Sequence, residues 1–522
     1  MKHSRYYLLF LLGIIIGLTS ITIKIYIKNK SQLESNFISG VVTQVSHKAN
    51  NRIRALIKLN NNKQYVKTTM MNVVCDGDMI IGRVEVHNIP KPCLPEAKDL
   101  RYKEFFDNVV AYVNFTEYRI ISSNEQMKID QYINHHFDIT NQQLLQALLF
   151  GKSHTIFPTT RNAFSKSGIS HLLAISGLHI GIITTFFFFL FRIILSVFLF
   201  TYLNKVNINL ISKMCALIML TFYLTQINIS ISSIRAAIML IIPYLSLLKY
   251  KTANKQILWL TMFIMLLIWP ESILYPSFQF SFITVFSLLY LPNLNIKSGI
   301  LKTIYSTFTA CIAVFPLIMY WFNEISIQPF LANIICIPIT VCLIPLVILW
   351  FFFLKIGVHL LFITKTINYI LTILINCSVI CSTFLNYSFK IHQLHYLSIV
   401  FWLCGVFLIL HKNKKGYLAC IPLLLNLFYF KPQNCFLISN NGETAIFQDG
   451  ILYTHKDSFN TQCWATTLGA HRVISPEINK YISTKFSKNN KIKSVTIMNK
   501  TYCKPFFKQC PCKINIKHKC IL

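Results

Sequence analysis

Two hydrophobic patterns alternate along this chain. Long apolar runs fill its middle, and short stretches of alternating β-branched and polar residues flank them. About 20 consecutive apolar residues suffice to cross a bilayer. Tyr6–Ile27 is such a run, preceded by the basic MKHSR, and reads as an uncleaved anchor with its N-terminus in the cytosol. From Ile169 the runs follow one another: Ile169–Leu203, Ile208–Ile229, Ile231–Leu248, Ile257–Leu274, Phe278–Leu291, Ile304–Phe322, Leu331–Leu354, His359–Phe384, Leu397–Leu410 and Tyr417–Phe430. This predicts a polytopic α-helical membrane protein of roughly 9–12 membrane helices, some of them short or broken by Pro243, Pro270, Pro276, Pro316, Pro338 and Pro345. Irregular backbone at membrane depth is tolerated only inside protein or beside a watery cavity, so the breaks favour a cavity or channel.

Between Asn36 and Pro95 the period changes to two. FISGVVTQVS, RIRALIKL, KQYVKTTM and MIIGRVEVHNI are short, β-branched and separated by Asn, Gly and Asp. A small N-terminal β-barrel of OB-like type is expected over 36–95, a fold that binds single strands. In its second strand Ile53, Ala55, Ile57 and Leu59 alternate with Arg52, Arg54 and Lys58, giving an apolar face and a basic one. The basic residues are candidate DNA contacts, although a solvated strand face has the same pattern. A Pro-bounded linker and amphipathic helices are expected over 96–165, with Tyr102, Phe105, Phe106 and Val109 on one helix face and a second helix from Thr140, both able to lie on the membrane surface. After the membrane region at 166–415 and a last helix at 416–430, the tail 431–522 is short, polar and β-containing, with hairpin turns at Asn441-Gly442 and Asp449-Gly450.

Composition sharpens this picture. Only 13% of residues are charged, against about 25% in soluble domains. The charge that remains is 50 Lys+Arg against 18 Asp+Glu. From Ile139 to Gly442 only Glu271 and Glu324 are acidic. Proton and cation transporters place acids within the membrane, whereas a path for a polyanion avoids them. Basic loops such as His411–Lys415 read as cytosolic, which returns the tail to the outer side. Cys75 and Cys93 flank the β domain and can pair if that domain is extracytoplasmic.

The chemistry concentrates in SGISHLLAISGLHIG, Ser167–Gly181. It carries His171, Ser176 and His179, with Gly168, Gly177 and Gly181 as helix-packing glycines. On one helix the two His would lie about 80° apart. Two His without a carboxylate make a poor metal site, and a Ser–His pair without an acid makes a poor hydrolase. A polar path lining and simple packing remain equally open on the residues alone. Arg235 in ISSIRAAIML, Gln279 in YPSFQFSF and Asn333 in QPFLANIICIP add further polar groups at membrane depth.

GISHLLAISGLHIG, SSIRAAIM, PSFQFSF and CIAVFPLIMYWFNEISIQPFLANIICIPIT, in this order, resemble the competence domain of the ComEC family. The anchor, β domain and PEAKDLRYKEFF linker also resemble that family's amino-terminal part. The resemblance implies an inner (plasma) membrane channel for single-stranded DNA uptake in natural transformation. Because GxxxxGK[ST] is absent and the membrane region has too few acids to hold Mg²⁺, the conduit is expected to be passive and not an enzyme, without cofactor or metal. His171, Ser176, His179, Arg235, Gln279 and Asn333 are candidate path residues, although Gln279 and Asn333 also suit simple contacts between helices. Expected partners are single-stranded DNA, membrane lipids, a cytosolic helicase-like motor, DNA-receptor proteins and further copies of the chain. Many family members end in a metallo-β-lactamase-like domain with an HxHxDH motif. That motif is absent here, where His455, His471 and His518 stand isolated, so the chain resembles the form lacking that domain. Cys503, Cys510, Cys512, His518 and Cys520 match no standard zinc spacing. An intramembrane hydrolase using Ser176 and His179, a small-anion transporter and a degenerate relative are the competing readings.

Overall fold

The computed structural model describes residues 36–47, 53–60, 64–70, 77–89, 98–99, 101–121, 135–198, 207–227, 231–246, 254–290, 299–326, 328–384, 388–392, 396–410, 435–438, 444–448, 451–454, 459–470, 472–474, 482–486, 492–497, 500–503 and 512–515, with isolated positions between them. Most of the predicted anchor Tyr6–Ile27, together with Arg52, Cys75 and Cys93, lies outside the described residues.

The β domain is a closed five-stranded barrel, β1 (Phe37–His47), β2 (Ile53–Leu59), β3 (Tyr65–Met70), β4 (Met79–His87) and β5 (Val109–Ile121). Its order around the barrel is β1-β2-β3-β5-β4. All pairs are antiparallel except β3 with β5. Val42, Ile57, Val66, Ile80 and Val113 fill its core. The closing strand corrects the sequence reading twice. The barrel runs to residue 121 rather than 95, and Val109 begins a strand instead of continuing a helix. The helix α1 (Arg101–Phe106) ends because Asn108 adopts φ 59°, a left-handed stop that Asn tolerates better than most residues. VVAYVNFTEYRII then runs as a strand whose first residues pair with β3 and whose residues Tyr112–Ile121 pair along β4, with an irregularity at Thr116. Lys67 on β3 forms a salt bridge with Glu104 of α1, its Nζ 2.6 Å from Oε1, which fixes the helix against the barrel.

The membrane region follows as α2 (Ile139–Phe150), α3 (Pro158–Lys166), α4 (Gly177–Phe198), α5 (Ile208–Gln226), α6 (Ile231–Ser246), α7 (Asn254–Ile268), α8 (Pro276–Tyr290), α9 (Gly299–Phe322), α10 (Gln328–Lys355), α11 (Leu361–Phe384) and α12 (Tyr396–Leu410). Among the described residues, α4, α5, α9, α10 and α11 contain spans long and apolar enough to cross a membrane, and α6, α7 and α8 contain shorter apolar ones. At 1.5 Å per residue a 15-residue helix covers about 22 Å, less than the hydrocarbon core, so the short helices need partners to shield their ends. Large apolar residues on the outer faces, such as Phe189, Val197, Phe222 and Phe362, are exposed, as lipid contact requires. Hydroxyls within these helices bond their own backbone. Thr184, Thr261 and Thr340, all buried, donate to the carbonyls of Ile180, Ile257 and Cys336.

One core joins α2, α3, α4, α5, α10 and α11 around Leu144, Leu145, Phe164, Ile180, Leu343 and Trp350. The helix expected along the membrane surface from Thr140 is therefore an interior element. Its Asn141 Nδ2 donates to Asn368 Oδ1 and Thr372 Oγ1, both at 2.8 Å, which ties α2 to α11 inside the bundle while Asn141 Oδ1 stays unpaired. A smaller cluster joins α7 and α8 through Leu258, Met265, Phe278 and Phe282.

The chain divides into two compact units, the second containing residues 90–102, 312–326 and 387–522. There β6 (Glu324–Ser326) pairs with β7 (Ser388–Lys390). The tail continues with β8 (Cys435–Ile438), β9 (Thr444–Gln448), β10 (Ile451–Thr454), β11 (Arg472–Ile474), β12 (Ile482–Phe486), β13 (Ile492–Ile497), β14 (Lys500–Cys503) and β15 (Cys512–Asn515). Five of these strands form one sheet in the order β11-β10-β9-β8-β15, and β12, β13 and β14 form another. Strands β8, β9 and β10 make the antiparallel meander that the two Gly turns predict. The parallel pair β10 and β11 is connected through α13 (Phe459–Leu468), whose Trp464 and Leu468 are buried with Leu437 and Phe447.

Candidate functional site

The segment Ser167–Gly181 is not one helix. Helix α3 closes in a turn at Gly168, where φ is 74° and the N–H of Ile169 reaches back to the carbonyl of Phe164. A 3-10 turn follows at Ser170–Leu172, and regular helix resumes only at Gly177. His171 therefore lies on the turn, exposed, while His179 lies in the first turn of α4 with 0% exposure. The common-helix spacing drawn from sequence does not apply to this pair. Glycine at 168 breaks the helical run, and no periodic pattern signals the restart.

Ser176 caps α4. Its carbonyl accepts from the N–H of Ile180 at 3.2 Å. Its hydroxyl lies 2.9 Å from His179 Nδ1, and its own N–H lies 3.4 Å from the same nitrogen. This is one half of a capping box, the imidazole accepting from the Ser176 N–H where the side chain of Glu or Gln commonly does. Accepting at Nδ1 places the ring proton on Nε2, which is buried without a partner. Among the described residues no carboxylate reaches that atom. The contact of Ser176 with His179 is accordingly explained by helix capping.

Helix α6 grips this turn. Ser233 Oγ donates to the carbonyl of Ile175 at 2.9 Å. Two residues on, Arg235 is 5% exposed and lies against Gly177. A Cβ at Gly177 would sit 2.5 Å from Arg235 Nη2 and 3.6 Å from the Ala236 Cβ. Arg235 Nη1 donates to Met239 Sδ at 3.0 Å, the guanidinium carbon is 5.8 Å from the Phe282 ring centroid, and Nε has no partner. Sequence spacing could not reveal that Gly177 makes room for a side chain 58 positions later. The signal was present only as two separate oddities, a glycine in an apolar run and an arginine in another.

The other predicted residues sit elsewhere. Gly168 lets the turn after α3 approach Pro329 in the first turn of α10, whose Cγ would lie 2.2 Å from a Cβ there. A Cβ at Gly181 would meet nothing within 4 Å, which removes the expected small-residue contact. Gln279 Nε2 donates to the carbonyl of Ile273 at 2.9 Å, stitching α8 to the turn before it. Asn333 hydrogen-bonds Cys311, joining α9 and α10, with its Oδ1 left unpaired. On the barrel, Arg54 and Lys58 are exposed while Ile53, Ala55 and Ile57 are buried, in register with the two-faced reading of β2. Among the described residues no group of three or more His, Cys, Asp or Glu side chains could hold a metal ion.

One group outside the segment was missed. Lys98 is held between Tyr320 and Trp321, 5.0 and 5.6 Å from their ring centroids, and donates to Asn323 Oδ1 at 3.0 Å. Burial pulls its pKa down to about 8. Linker composition gave no hint of that aromatic seat.

No solved structure matches this chain. ComE operon protein 3 of Bacillus subtilis (strain 168) is 26% identical over 206 residues, which cover 39% of this chain. The matched stretch spans a quarter of that relative's length, at 25%. The competence protein family matches residues 148–415, a stretch that begins within α2 and contains the capped turn, its arginine clamp and helices α3 to α12. By that match over half its length, the chain is a multi-pass membrane protein belonging to the competence protein family.

Proposed function

We propose that this protein is a membrane conduit for single-stranded DNA in natural transformation. The observation that carries the reading is electrostatic. The matched region buries an arginine that has no acidic partner among the described residues, and its sequence has Glu271 and Glu324 as its only carboxylates. A phosphate backbone crosses such an interior without like-charge repulsion. Arg54 and Lys58 on the barrel receive the strand, and the turn at Gly168–Gly181 with Arg235 belongs to its path. His171, Gln279 and Asn333 serve as secondary polar contacts in this reading. The conduit is passive. The sequence carries no GxxxxGK[ST] phosphate loop, and its membrane region has too few acids to hold Mg²⁺. A separate cytosolic motor pulls the strand.

The barrel and tail lie outside the cytosol in this reading. Cys463 of α13 is disulfide-bonded, which fits an oxidising compartment. The test is uptake of labelled DNA in a deletion strain complemented with the wild type or Arg235→Ala. Uptake is expected to vanish on deletion and return only with the wild type. Normal uptake in the deletion strain overturns the reading.

A further inference from the structure

We infer that Arg235 and the N-terminus of α4 form a binding site for a single phosphodiester group. The inference rests on the conduit reading for the source of that group, the transported strand, but not for the chemistry of the site.

Burying a guanidinium costs several kcal/mol unless it is paired. Arg235 is 5% exposed, yet its partners are a thioether and a ring face, and its Nε is empty. Among the described residues no carboxylate pairs with it. It faces a second positive feature. The first-turn N–H groups of a helix lack intrahelical acceptors and carry about half a positive charge. Gly177 is the first residue of the 22-residue helix α4, and Nη2 of Arg235 occupies the place of its missing side chain. Two positive groups in contact repel, and one anion between them satisfies both. His179 Nε2, a proton donor in the tautomer set by Ser176, is a further unpartnered atom in the same turn.

A phosphodiester fits by charge and shape. It carries one negative charge against the one of Arg235, and its two free oxygens match the guanidinium fork. Met239 and Phe282 are soft partners that an oxygen ligand displaces at little cost. The site is thus sealed in this structure and opens by exchanging sulfur and ring contacts for phosphate. A lipid phosphate has the same chemistry, but Arg235 is buried, as are Ser233, Ala236 and Ala237 around it on α6.

The test uses the full-length protein in nanodiscs of neutral lipid, with dimethyl phosphate as the probe and chloride at equal ionic strength as the control. The wild type is expected to show a saturable rise in Tm with dimethyl phosphate. Arg235→Gln is expected to lose it, and Arg235→Lys, which keeps the charge without the fork, to retain a smaller rise. No rise in the wild type, or an equal rise in Arg235→Gln, overturns the site. If Arg235→Gln does not fold, the ranking of wild type above Arg235→Lys decides, and equal responses overturn the proposal. Repeating the measurement with anionic phosphatidylglycerol separates the sources. An unchanged response supports the strand, and its loss assigns the site to lipid and overturns the present assignment. Failure of the deletion-strain experiment alone leaves a phosphodiester site without DNA transport, whereas failure here alone leaves transport without this site.

Discussion

The guanidinium of Arg235 occupies the space that a side chain at Gly177 would fill, with Nη2 2.5 Å from the position of the absent Cβ. The glycine of one helix start and the arginine of another helix are therefore a single feature. Gly177→Ala forces the arginine to move. Because the atom in the way is the end of a flexible side chain, folding should survive at a cost of about 1–3 kcal/mol. DNA uptake is expected to fall to the level of Arg235→Ala. Uptake and detergent-solubilised Tm measured together check this, since a fold-only effect would lower both in proportion.

Gly168 predicts the opposite balance. Its φ of 74° is unfavourable for other residues, and Pro329 Cγ, Cβ and the backbone Cα lie within 3.0 Å of where a methyl group would sit. A proline ring on rigid backbone does not yield as an arginine tip does. Gly168→Ala should cost about 1–3 kcal/mol from backbone strain alone, with the clash added. Loss of folded protein in the membrane fraction is the expected outcome. Normal yield and Tm would show that the turn relaxes around the methyl group.

Period and length made the barrel strands β1 to β4 and most membrane helices legible, because each is set by local burial. The fifth strand was hidden by the helix-like spacing of Tyr102, Phe105, Phe106 and Val109, and only the left-handed Asn108 divides them. The break at Gly168–Gly177 was hidden because its apolar residues suit a helix equally well. The site was legible as residue types and not as geometry. Ser176 and His179 read correctly as neighbours, but His171 lies on a separate 3-10 turn and not on their helix, and the partnership of Gly177 with Arg235 spans elements that no local pattern connects.

Lys98 gives a pH signature. Its ordinary pKa is 10.5, and burial between Tyr320 and Trp321 lowers it to about 8. Between those two values the unfolded chain holds a proton that the folded one has released, so folding stability rises with pH across that window. Tyr102, whose ordinary pKa of 10.0 burial pushes up to about 12, acts in the opposite sense from about pH 10 upward and does so in both proteins. Lys98→Met should remove the rise while keeping the aromatic contacts. Tm of both proteins from about pH 8 to about pH 10.5, the window those two pKa values bracket, tests this. Because other groups contribute equally to both proteins, the difference curve isolates Lys98. A flat difference would mean that the ammonium stays hydrated.

The barrel supplies the last prediction. Arg54 and Lys58 are exposed on β2, whereas Lys67 on the neighbouring strand is bound to Glu104. Single-strand binding that neutralises phosphates loses affinity with salt, with a log–log slope of about 0.7 per contact. Arg54→Ala and Lys58→Ala in the full-length protein should each reduce that slope by about 0.7 and weaken binding equally for every sequence. Lys67→Ala should leave the slope unchanged, since its charge is already neutralised by a carboxylate. Fluorescence anisotropy of a labelled oligonucleotide across a salt series measures all three. An unchanged slope in Arg54→Ala and Lys58→Ala would move the receiving surface off β2, and a lowered slope in Lys67→Ala would mean that the strand displaces Glu104 to reach the barrel.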